Sequence, residues 1–178
     1  MEVQIHGALV DVSGVGVLLQ GPSGIGKSEC ALELVRRGHK LVSDDLVKVR
    51  SVRSLETNSL VGTAPELIRH YMEIRGVGLL YIPDLYGPGA VRQEAPIDLL
   101  IHLEEWRESA DYERVGLERP LEEIAGVMIP ALVLPLRPAG SMATIIEVAA
   151  RDTLQRQAGI NAAAKLDARL RADAGRGE

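Results

Sequence analysis

Residues Gly21 to Ser28 have the types and the spacing of a phosphate-binding loop. They read Gly-Pro-Ser-Gly-Ile-Gly-Lys-Ser, after an apolar run that ends at Leu19 and before a stretch of helical character from Glu29 to Arg37. Glycines let successive backbone N–H groups face an anion, while the lysine reaches the β- and γ-phosphates and the serine hydroxyl ligates Mg²⁺. The pattern therefore predicts a site for a nucleoside triphosphate. The loop residues expected to bind it are Gly21, Pro22, Ser23, Gly24, Ile25, Gly26, Lys27 and Ser28.

Two adjacent carboxylates, Asp44 and Asp45, follow the apolar pair Leu41-Val42. In a phosphate-loop protein, a carboxylate at the end of a neighbouring strand can coordinate Mg²⁺ or orient the attacking nucleophile. Neighbouring side chains of an extended chain point to opposite sides, so one aspartate could address the metal and the other the acceptor. The alternative, that the pair only caps a turn before the next strand, stays open.

A segment of alternating charge and apolarity runs from Met72 to Leu80 and contains two glycines. Glu73 could complete a Mg²⁺ shell there, and Arg75 could neutralise phosphate. An edge strand with solvated charges explains the same pattern equally well. Both interpretations of this segment stay open at the level of sequence.

Arg114 and His6 are two further candidates for chemistry. Arg114 lies in a polar loop from Ser109 to Gly116, where a cation could close over a transferring phosphoryl group, although loop charges are more often only solvated. His6 stands at the end of a predicted strand, and a lone histidine there is more often structural than catalytic. The spacing of cysteine and histidine indicates no zinc site.

The composition predicts one domain over residues 1–178, with a frayed tail at residues 172–178. The chain has 178 residues and is 46% hydrophobic, which is enough for a sizeable core. Its 20 basic and 25 acidic residues give a net charge of −5, which argues against nucleic acid or an anionic membrane as the main partner. Cys30 is the only cysteine, so no internal disulfide forms. Because the amino terminus has no basic and apolar leader, we expect a cytoplasmic protein.

The order of the predicted elements favours an α/β fold with a mixed, largely antiparallel sheet and carboxy-terminal helices. Many short β-type runs follow one another in the first half with no room for a crossover helix. The predicted helices are Ser28 to Arg37, Pro65 to Tyr71, Met142 to Gln157 and Ile160 to Ala172. The predicted strands are Val3 to Ile5, Ala8 to Val12, Val15 to Leu19, Leu41 to Val42, Leu46 to Val49, Leu79 to Ile82, Ile97 to Leu103 and Met128 to Leu134.

Taken together, these segments resemble the HPr kinase/phosphorylase family. The resemblance extends over nearly the whole chain, and the Glu-Ile-Arg-Gly-x-Gly segment is far more specific to this family than the phosphate loop is. The matching stretches are His6 to Asp11, Gly21 to Glu29, Ala31 to Leu34, Arg37 to His39, Asp44-Asp45, Glu73 to Gly78, Gly87 to Arg92 and Ile145 to Ala150.

The resemblance implies a phosphate-loop core of the PEP carboxykinase-like kind and a bifunctional enzyme. Such an enzyme uses ATP and Mg²⁺ to phosphorylate a seryl hydroxyl on HPr, a small phosphocarrier protein of the sugar phosphotransferase system or its nitrogen-related branch. The same site removes that phosphate by phosphorolysis, in which inorganic phosphate attacks and pyrophosphate is released. Family members are hexamers whose carboxy-terminal helices help to hold HPr, so a homo-oligomer is expected.

The resemblance also implies roles for individual residues. Lys27 binds phosphates, and Ser28 and Glu73 hold Mg²⁺, with Asp44 as a further candidate ligand. Asp45 is the general base of the forward reaction and the general acid of the reverse one, as microscopic reversibility requires. His6 and Arg114 are further catalytic positions.

Two departures from the family pattern generate expectations. Family members commonly carry an amino-terminal domain of comparable size, whereas this chain looks like the short, catalytic form. The family's Pro-Val-Arg-Pro-Gly-Arg-Asn-Leu-like run reads here Pro-Leu-Arg-Pro-Ala-Gly-Ser-Met over Pro135 to Met142. An Arg and an Asn are thus replaced by Gly140 and Ser141, so we expect the kinase direction to survive and phosphorolysis to be weakened.

Two other functions compete with this interpretation. The loop sequence also suits a small-molecule kinase, although the Arg-poor stretch from Ser54 to Ile68 does not provide a convincing lid. A non-catalytic module that senses nucleotide would keep the loop without needing the carboxylate of Asp45. A substitution of Asp45 separates these possibilities.

Overall fold

The computed structural model describes residues 2–54, 57–108, 116, 118–136 and 140–174. Its strands are β1 (Glu2–His6), β2 (Ala8–Val12), β3 (Val15–Gln20), β4 (Lys40–Ser43), β5 (Leu46–Arg53), β6 (Asn58–Thr63), β7 (Tyr71–Ile74), β8 (Gly78–Tyr81), β9 (Glu94–Pro96), β10 (Leu99–Glu105), β11 (Leu121–Ile124) and β12 (Val127–Leu136). Its α-helices are α1 (Lys27–Arg36), α2 (Ile82–Tyr86), α3 (Met142–Gln157) and α4 (Ala162–Ala174).

A mixed six-stranded sheet forms the centre of the fold, with the strand order β11-β12-β10-β3-β2-β4. β10 runs parallel to both β3 and β12, whereas the pairs β2–β3, β2–β4 and β11–β12 are antiparallel. The edge at β4 is covered by a return of the chain, since the Arg92 N–H donates to the Leu41 carbonyl oxygen at 2.8 Å. The expected α/β fold with a mixed, largely antiparallel sheet is confirmed.

A second sheet and a hairpin complete the strands. β1, β5, β6 and β9 form an antiparallel four-stranded sheet, and β7 pairs with β8 in a separate antiparallel hairpin. The hairpin register sets Tyr71 opposite Tyr81 and Glu73 opposite Leu79. Side chains of each opposing pair therefore share one face of the hairpin.

The six-stranded sheet is buried on both faces, which explains why β2 and β3 are largely apolar on both sides, with the buried Asp11 of β2 as an exception. Along β2, Ala8, Val10 and Val12 pack with α1 and α3 on one side, while Leu9 packs toward the four-stranded sheet on the other. β3 and β10 alternate in the same way. The result is a three-layer arrangement of helices, central sheet and second sheet.

A polar cluster joins α1 to α3. The Arg37 guanidinium, just after α1, donates to Glu33 Oε1 at 2.8 Å, Ser141 Oγ at 2.7 Å, Thr144 Oγ1 at 2.9 Å and Glu147 Oε2 at 2.9 Å. The Ser141 hydroxyl also caps α3 by accepting from the Thr144 N–H. One arginine thus fixes the start of α3 against the end of the helix that follows the phosphate loop.

α4 packs loosely on the rest of the chain. None of its residues is buried, and Leu166 and Leu170 are largely exposed. Within the ranges that the structure describes, no helix is long and apolar enough to cross a membrane.

Several predicted elements differ from the structure. The expected helix Pro65 to Tyr71 is wrong, because only a 3₁₀ turn at Glu66–Ile68 forms before β7 begins. The expected strand Leu79 to Ile82 gives way to α2 at Ile82, where Pro83 fits the first helical turn. β6, β9 and β11 were not predicted. α4 continues to Ala174, and the rest of the predicted tail, residues 175–178, lies outside the described residues.

We predict that Glu147 stabilises the α1–α3 contact in a pH-dependent way. His39 Nε2 lies 2.8 Å from Glu147 Oε1, and the hydrogen bond to His39 followed by that to Arg37 lowers the pKa of the Glu147 carboxyl below 4.5. Because the folded state favours the ionised form, this contribution is present above pH 4.5 and is lost as the pH falls through the lower folded-state pKa. Glu147→Gln should lower the free energy of unfolding at pH 7 by about 1 kcal/mol.

Urea denaturation at a series of pH values measures this effect, with the exposed Glu66→Gln as the control. The difference between wild type and Glu147→Gln should shrink as the pH is lowered below 4.5. A difference that stays constant down to pH 3 contradicts the assignment.

Candidate active site

The predicted phosphate loop lies between β3 and α1, at the carboxyl end of β3. Gly24 and Gly26 adopt positive φ angles of 79° and 107°, which a glycine tolerates without strain. Gly26 is also the N-cap residue of α1, so the positive end of the helix dipole points into the loop. The Lys27 ammonium group donates to the carbonyl oxygens of Gly21 at 2.8 Å and Pro22 at 3.0 Å. The loop is thus folded around its own lysine.

An open cleft of about 750 Å³ adjoins this loop. Its walls come from the phosphate loop, the start of α1, the turn between β4 and β5, the end of β1 and the β7–β8 hairpin. The lining residues are His6, Gly21, Ser23, Gly24, Gly26, Lys27, Ser28, Glu29, Asp44, Asp45, Ile68, Tyr71, Met72, Glu73, Arg75 and Leu79.

Ser28 and Asp44 are joined at the floor of the cleft. The Ser28 hydroxyl lies 2.9 Å from Asp44 Oδ1 and 3.0 Å from Oδ2. Asp44 follows β4 directly and is only 6% exposed, and burial raises the pKa of its carboxyl to about 6. The hydrogen bond from Ser28 lowers this pKa and the neighbouring charge of Asp45 raises it. A buried carboxylate with this pKa gains from a nearby cation.

Asp45 occupies a tight turn that exposes its side chain to the cleft. The Leu46 N–H donates to the Asp44 carbonyl oxygen at 2.9 Å, and Asp45 at the centre has a φ of 69°. This is a γ-turn, a strained conformation for a residue other than glycine. The Gly7 N–H donates to the Asp45 carbonyl oxygen at 3.0 Å, which ties the turn to the end of β1 and brings His6 to the same wall. The two aspartates therefore separate, one buried and one exposed.

The hairpin supplies the opposite wall of the cleft. Glu73 and Arg75 both line the cleft, at the end of β7 and in the turn that follows. The Arg75 guanidinium lies so close to Gly24 that a Cβ atom there would be 3.1 Å from its Nη1. The hairpin thus places a cation directly over the phosphate loop, as one of the two open interpretations of this segment requires.

Most of the predicted site residues meet in this cleft. It is lined by His6, Lys27, Ser28, Asp44, Asp45 and Glu73 together with four other loop residues. Pro22 and Ile25 do not line it, because Ile25 packs against the core and Pro22 uses its carbonyl group within the loop. Arg114 lies outside the described residues.

Three exposed apolar residues of the lining were not predicted as site residues. Ile68, Tyr71 and Leu79 line the cleft beside the charged groups. Their sequence signal is the alternation of Tyr71, Glu73 and Arg75 with Met72 and Ile74, which assigns the first set to one face of a strand. Nothing in that pattern shows that the exposed face borders a cleft.

The donor set of the cleft fits Mg²⁺. Among the described residues no three His, Cys, Asp or Glu side chains cluster closely enough to form a metal site by themselves. Mg²⁺ does not require one, since it usually takes one or two protein oxygens together with phosphate oxygens and water. The joined oxygen atoms of Ser28 and Asp44 are ligands of that kind. Cys30 is buried, and burial raises the pKa of its thiol to about 11, so it remains a core residue.

Ser141, which departs from the family pattern, lies elsewhere. Its hydroxyl donates to Glu33 at 2.6 Å and accepts from Arg37 at 2.7 Å, at the far end of α1. Neither Gly140 nor Ser141 lines the cleft.

Comparison with known proteins places the whole arrangement in one family. Residues 1–170 match the family model described as HPr Serine kinase C-terminal domain. The chain belongs to this family. It is 52% identical over 169 residues to an HPr kinase/phosphorylase of Caldanaerobacter subterraneus subsp. tengcongensis, covering 95% of this chain and 54% of the relative. It is 49% identical over 166 residues to that of Geobacillus kaustophilus, covering 93% and 52%.

A solved structure extends the comparison to three dimensions. The Hpr(Ser) kinase/phosphatase from Coxiella burnetii superposes with a TM-score of 0.78 at 29% identity and covers 88% of this chain and 93% of that chain. The HPr serine kinase domain therefore has the phosphate-loop kinase fold. The chain spans about half the length of the curated relatives it matches.

We predict that a glycine variant at position 45 is more stable than an alanine variant, which is the reverse of their usual order of stability. Alanine has to adopt the left-handed conformation at a cost that glycine avoids, so Asp45→Gly should be more stable than Asp45→Ala by about 1 kcal/mol. Thermal or urea unfolding of the two purified variants measures the difference.

Asp84 in α2 provides the matched control, because it has ordinary backbone geometry. There the alanine variant should be the more stable one. Equal stability of the two variants at position 45 would show that the turn is not strained.

Proposed function

We propose that this domain transfers the γ-phosphoryl group of ATP to a seryl hydroxyl of an HPr-type phosphocarrier protein, in a Mg²⁺-dependent reaction. The observation that carries the proposal is the exposed carboxylate of Asp45 in the same cleft as Lys27 and Ser28 of the phosphate loop. Membership of the family supports HPr as the acceptor, because the relatives are named HPr kinase/phosphorylase.

The phosphate loop and the hairpin bind the triphosphate from two sides. The backbone N–H groups of the loop and the amino terminus of α1 face its anionic oxygens. Lys27 turns from the loop carbonyl groups to the β- and γ-phosphates, and Arg75 adds a second cation above Gly24. Together these groups orient the γ-phosphoryl group and stabilise the charge that develops during transfer.

Ser28 and Asp44 would hold Mg²⁺, with Glu73 at the facing wall as a third candidate ligand. When bound, the ion neutralises charge on the β- and γ-phosphates. Burial raises the pKa of Asp44 to about 6 because it disfavours the ionised carboxylate. A bound Mg²⁺ would offset this cost by stabilising the ionised form. Ser28 keeps the carboxylate oriented through its hydroxyl group.

Asp45 accepts the proton of the attacking seryl hydroxyl. In the forward direction the seryl oxygen forms a bond to the γ-phosphorus, the bond to the β–γ bridging oxygen breaks, and ADP leaves. In the reverse direction an oxygen of inorganic phosphate attacks the phosphoseryl phosphorus, Asp45 returns the proton to the seryl oxygen, and pyrophosphate forms. His6, on the same wall, and Arg114 are proposed as additional catalytic residues.

We also propose that the chain assembles into a hexamer and that it is located in the cytoplasm. A hexamer is supported by the exposed apolar side chains of the carboxy-terminal helices, which are Ile145, Val148, Leu154, Leu166 and Leu170. A cytoplasmic location is supported by the lone, buried Cys30 and by the need for ATP. We propose that residues 1–178 form a single domain that carries out the transfer reaction.

We predict that Asp45→Asn abolishes transfer without weakening ATP binding. Asparagine keeps the size of the side chain and tolerates the left-handed backbone, but it cannot accept the proton. The turnover rate should fall by about 10²-fold or more, while the Kd for ATP stays within about twofold. Transfer from labelled ATP to HPr and equilibrium nucleotide binding measure the two quantities.

An HPr in which the acceptor serine is alanine is the control for the substrate. Transfer to that protein would show that a residue other than this serine accepts the phosphoryl group, whereas transfer to a small metabolite in place of HPr would favour a small-molecule kinase. Unchanged transfer by Asp45→Asn would refute Asp45 as the base, and a wild-type protein that binds ATP without any transfer would favour a nucleotide sensor.

We predict that phosphorolysis is slower than the kinase reaction and that Gly140→Arg together with Ser141→Asn raises it. Ser141 contacts Glu33 on α1 and Arg37 just after it, so within one chain these residues influence the cleft only indirectly, through the α1–α3 contact. Phosphate-dependent release of pyrophosphate from phosphorylated HPr, compared with the forward rate, measures the effect. Phosphorolysis by the wild type at the forward rate would contradict it.

A further inference from the structure

The outer face of the β7–β8 hairpin carries an unusual group of exposed apolar side chains. Tyr71, Leu79 and Tyr81 share this face, and Ile68 stands next to it on the preceding 3₁₀ turn. They are exposed by 40%, 69%, 36% and 36% respectively. We call Ile68, Tyr71, Leu79 and Tyr81 the apolar platform. A contiguous group of exposed apolar side chains on a soluble domain often marks an interaction site.

The platform is a firm surface because the hairpin is anchored from behind. On the inner face Met72 is 1% exposed and packs into the main core, as does Ile82 directly after β8. On the outer face the rings of Tyr71 and Tyr81 lie with their centroids 4.8 Å apart at an interplanar angle of 42°. Two tyrosine rings packed against each other at a tilt present a large contact area at a low cost in side-chain entropy.

The platform is continuous with the candidate active site. Ile68, Tyr71 and Leu79 line the same cleft as Lys27 and Asp45. Leu79 lies directly opposite Glu73 in the hairpin register. A molecule that fills this cleft therefore contacts the platform as well as the charged groups.

The order of residues along β7 shows which part of the bound molecules meets the platform. Arg75 lies over Gly24 of the phosphate loop, and Glu73 comes two residues earlier. Tyr71 comes two residues before Glu73, at the opposite end of β7 from the turn that carries Arg75. The platform thus extends away from the triphosphate end of the cleft.

We propose that the apolar platform docks the apolar surface that surrounds the acceptor serine of the carrier protein. The inference rests on the proposed function and names the surface that selects its substrate. A seryl residue in a folded protein reaches Asp45 only if the surface around it also enters the cleft. The wall that this surface meets beyond Glu73 is the platform, whose contacts release water from apolar area.

Leu79→Thr, Tyr71→Thr and Ile68→Thr test the proposal. Threonine retains the preference for strands, so the first two changes remove apolar area while favouring the hairpin. Each variant should raise the KM for HPr about tenfold, which is typical of a residue at the centre of an interface. The KM for ATP and the kcat at saturating HPr should stay within about twofold of wild type.

Leu121→Thr is the matched control, because Leu121 is a strand leucine with 56% exposure on β11. Its KM for HPr should equal that of the wild type. Ile68 lies outside the hairpin, so Ile68→Thr keeps the test decisive if the circular dichroism spectrum shows that a hairpin variant is misfolded.

Each alternative occupant of the platform gives a different result. A rise in the KM for ATP instead of that for HPr would assign the platform to the nucleotide base and overturn the proposal. A change in sedimentation coefficient with an unchanged KM for HPr would assign it to a second copy of the chain and also overturn it. Unchanged constants in all three variants refute it outright, whereas a wild type that does not phosphorylate HPr refutes the proposed function itself.

Discussion

The hydrogen bonds from the Ser28 hydroxyl to Asp44 connect the two halves of the candidate active site. Ser28 belongs to the helix that follows the phosphate loop, whereas Asp44 directly follows β4, which lies two strands away from β3 in the central sheet. The buried carboxylate sets the position of the following residue, so Asp45 emerges from the turn toward the cleft. The same hydrogen bonds therefore position both the phosphate loop and the turn that carries Asp45. A displacement of either segment would disturb the other.

The parts of the fold that the sequence predicts best depend on local patterns. The loop from Gly21 to Ser28, β2 and α3 follow from glycine spacing and from apolar periodicity, and their bounds agree with the structure closely. Local patterns do not predict the structure correctly where the same residues are compatible with both a strand and a helix. Ile82 continues an apolar run that resembles a strand, but the chain turns into α2 there because Pro83 is favourable in a first helical turn. β6, β9 and β11 were missed because their pairing partners, not their own residues, define them as strands.

The candidate site shows the same limit. The separate roles expected for Asp44 and Asp45 follow from the alternation of side chains, yet the separation comes from a γ-turn rather than from an extended strand. The position of Arg75 over Gly24 could not be inferred, because it depends on how the hairpin packs against the loop. The exposed face of Tyr71 and Leu79 likewise reflects tertiary context, since an isolated strand pattern does not say which side meets solvent.

The covered edge at β4 affects how the molecule behaves at high concentration. A sheet that ends in an open strand offers unpaired N–H and C=O groups to the strands of other molecules, which is a common route to aggregates. Here the Arg92 N–H takes up a carbonyl group of Leu41, and the opposite edge at β11 displays the exposed carboxylates of Glu122 and Glu123. One end of this sheet is therefore blocked by the chain's own backbone, and the other carries negative charges that oppose pairing with a like copy.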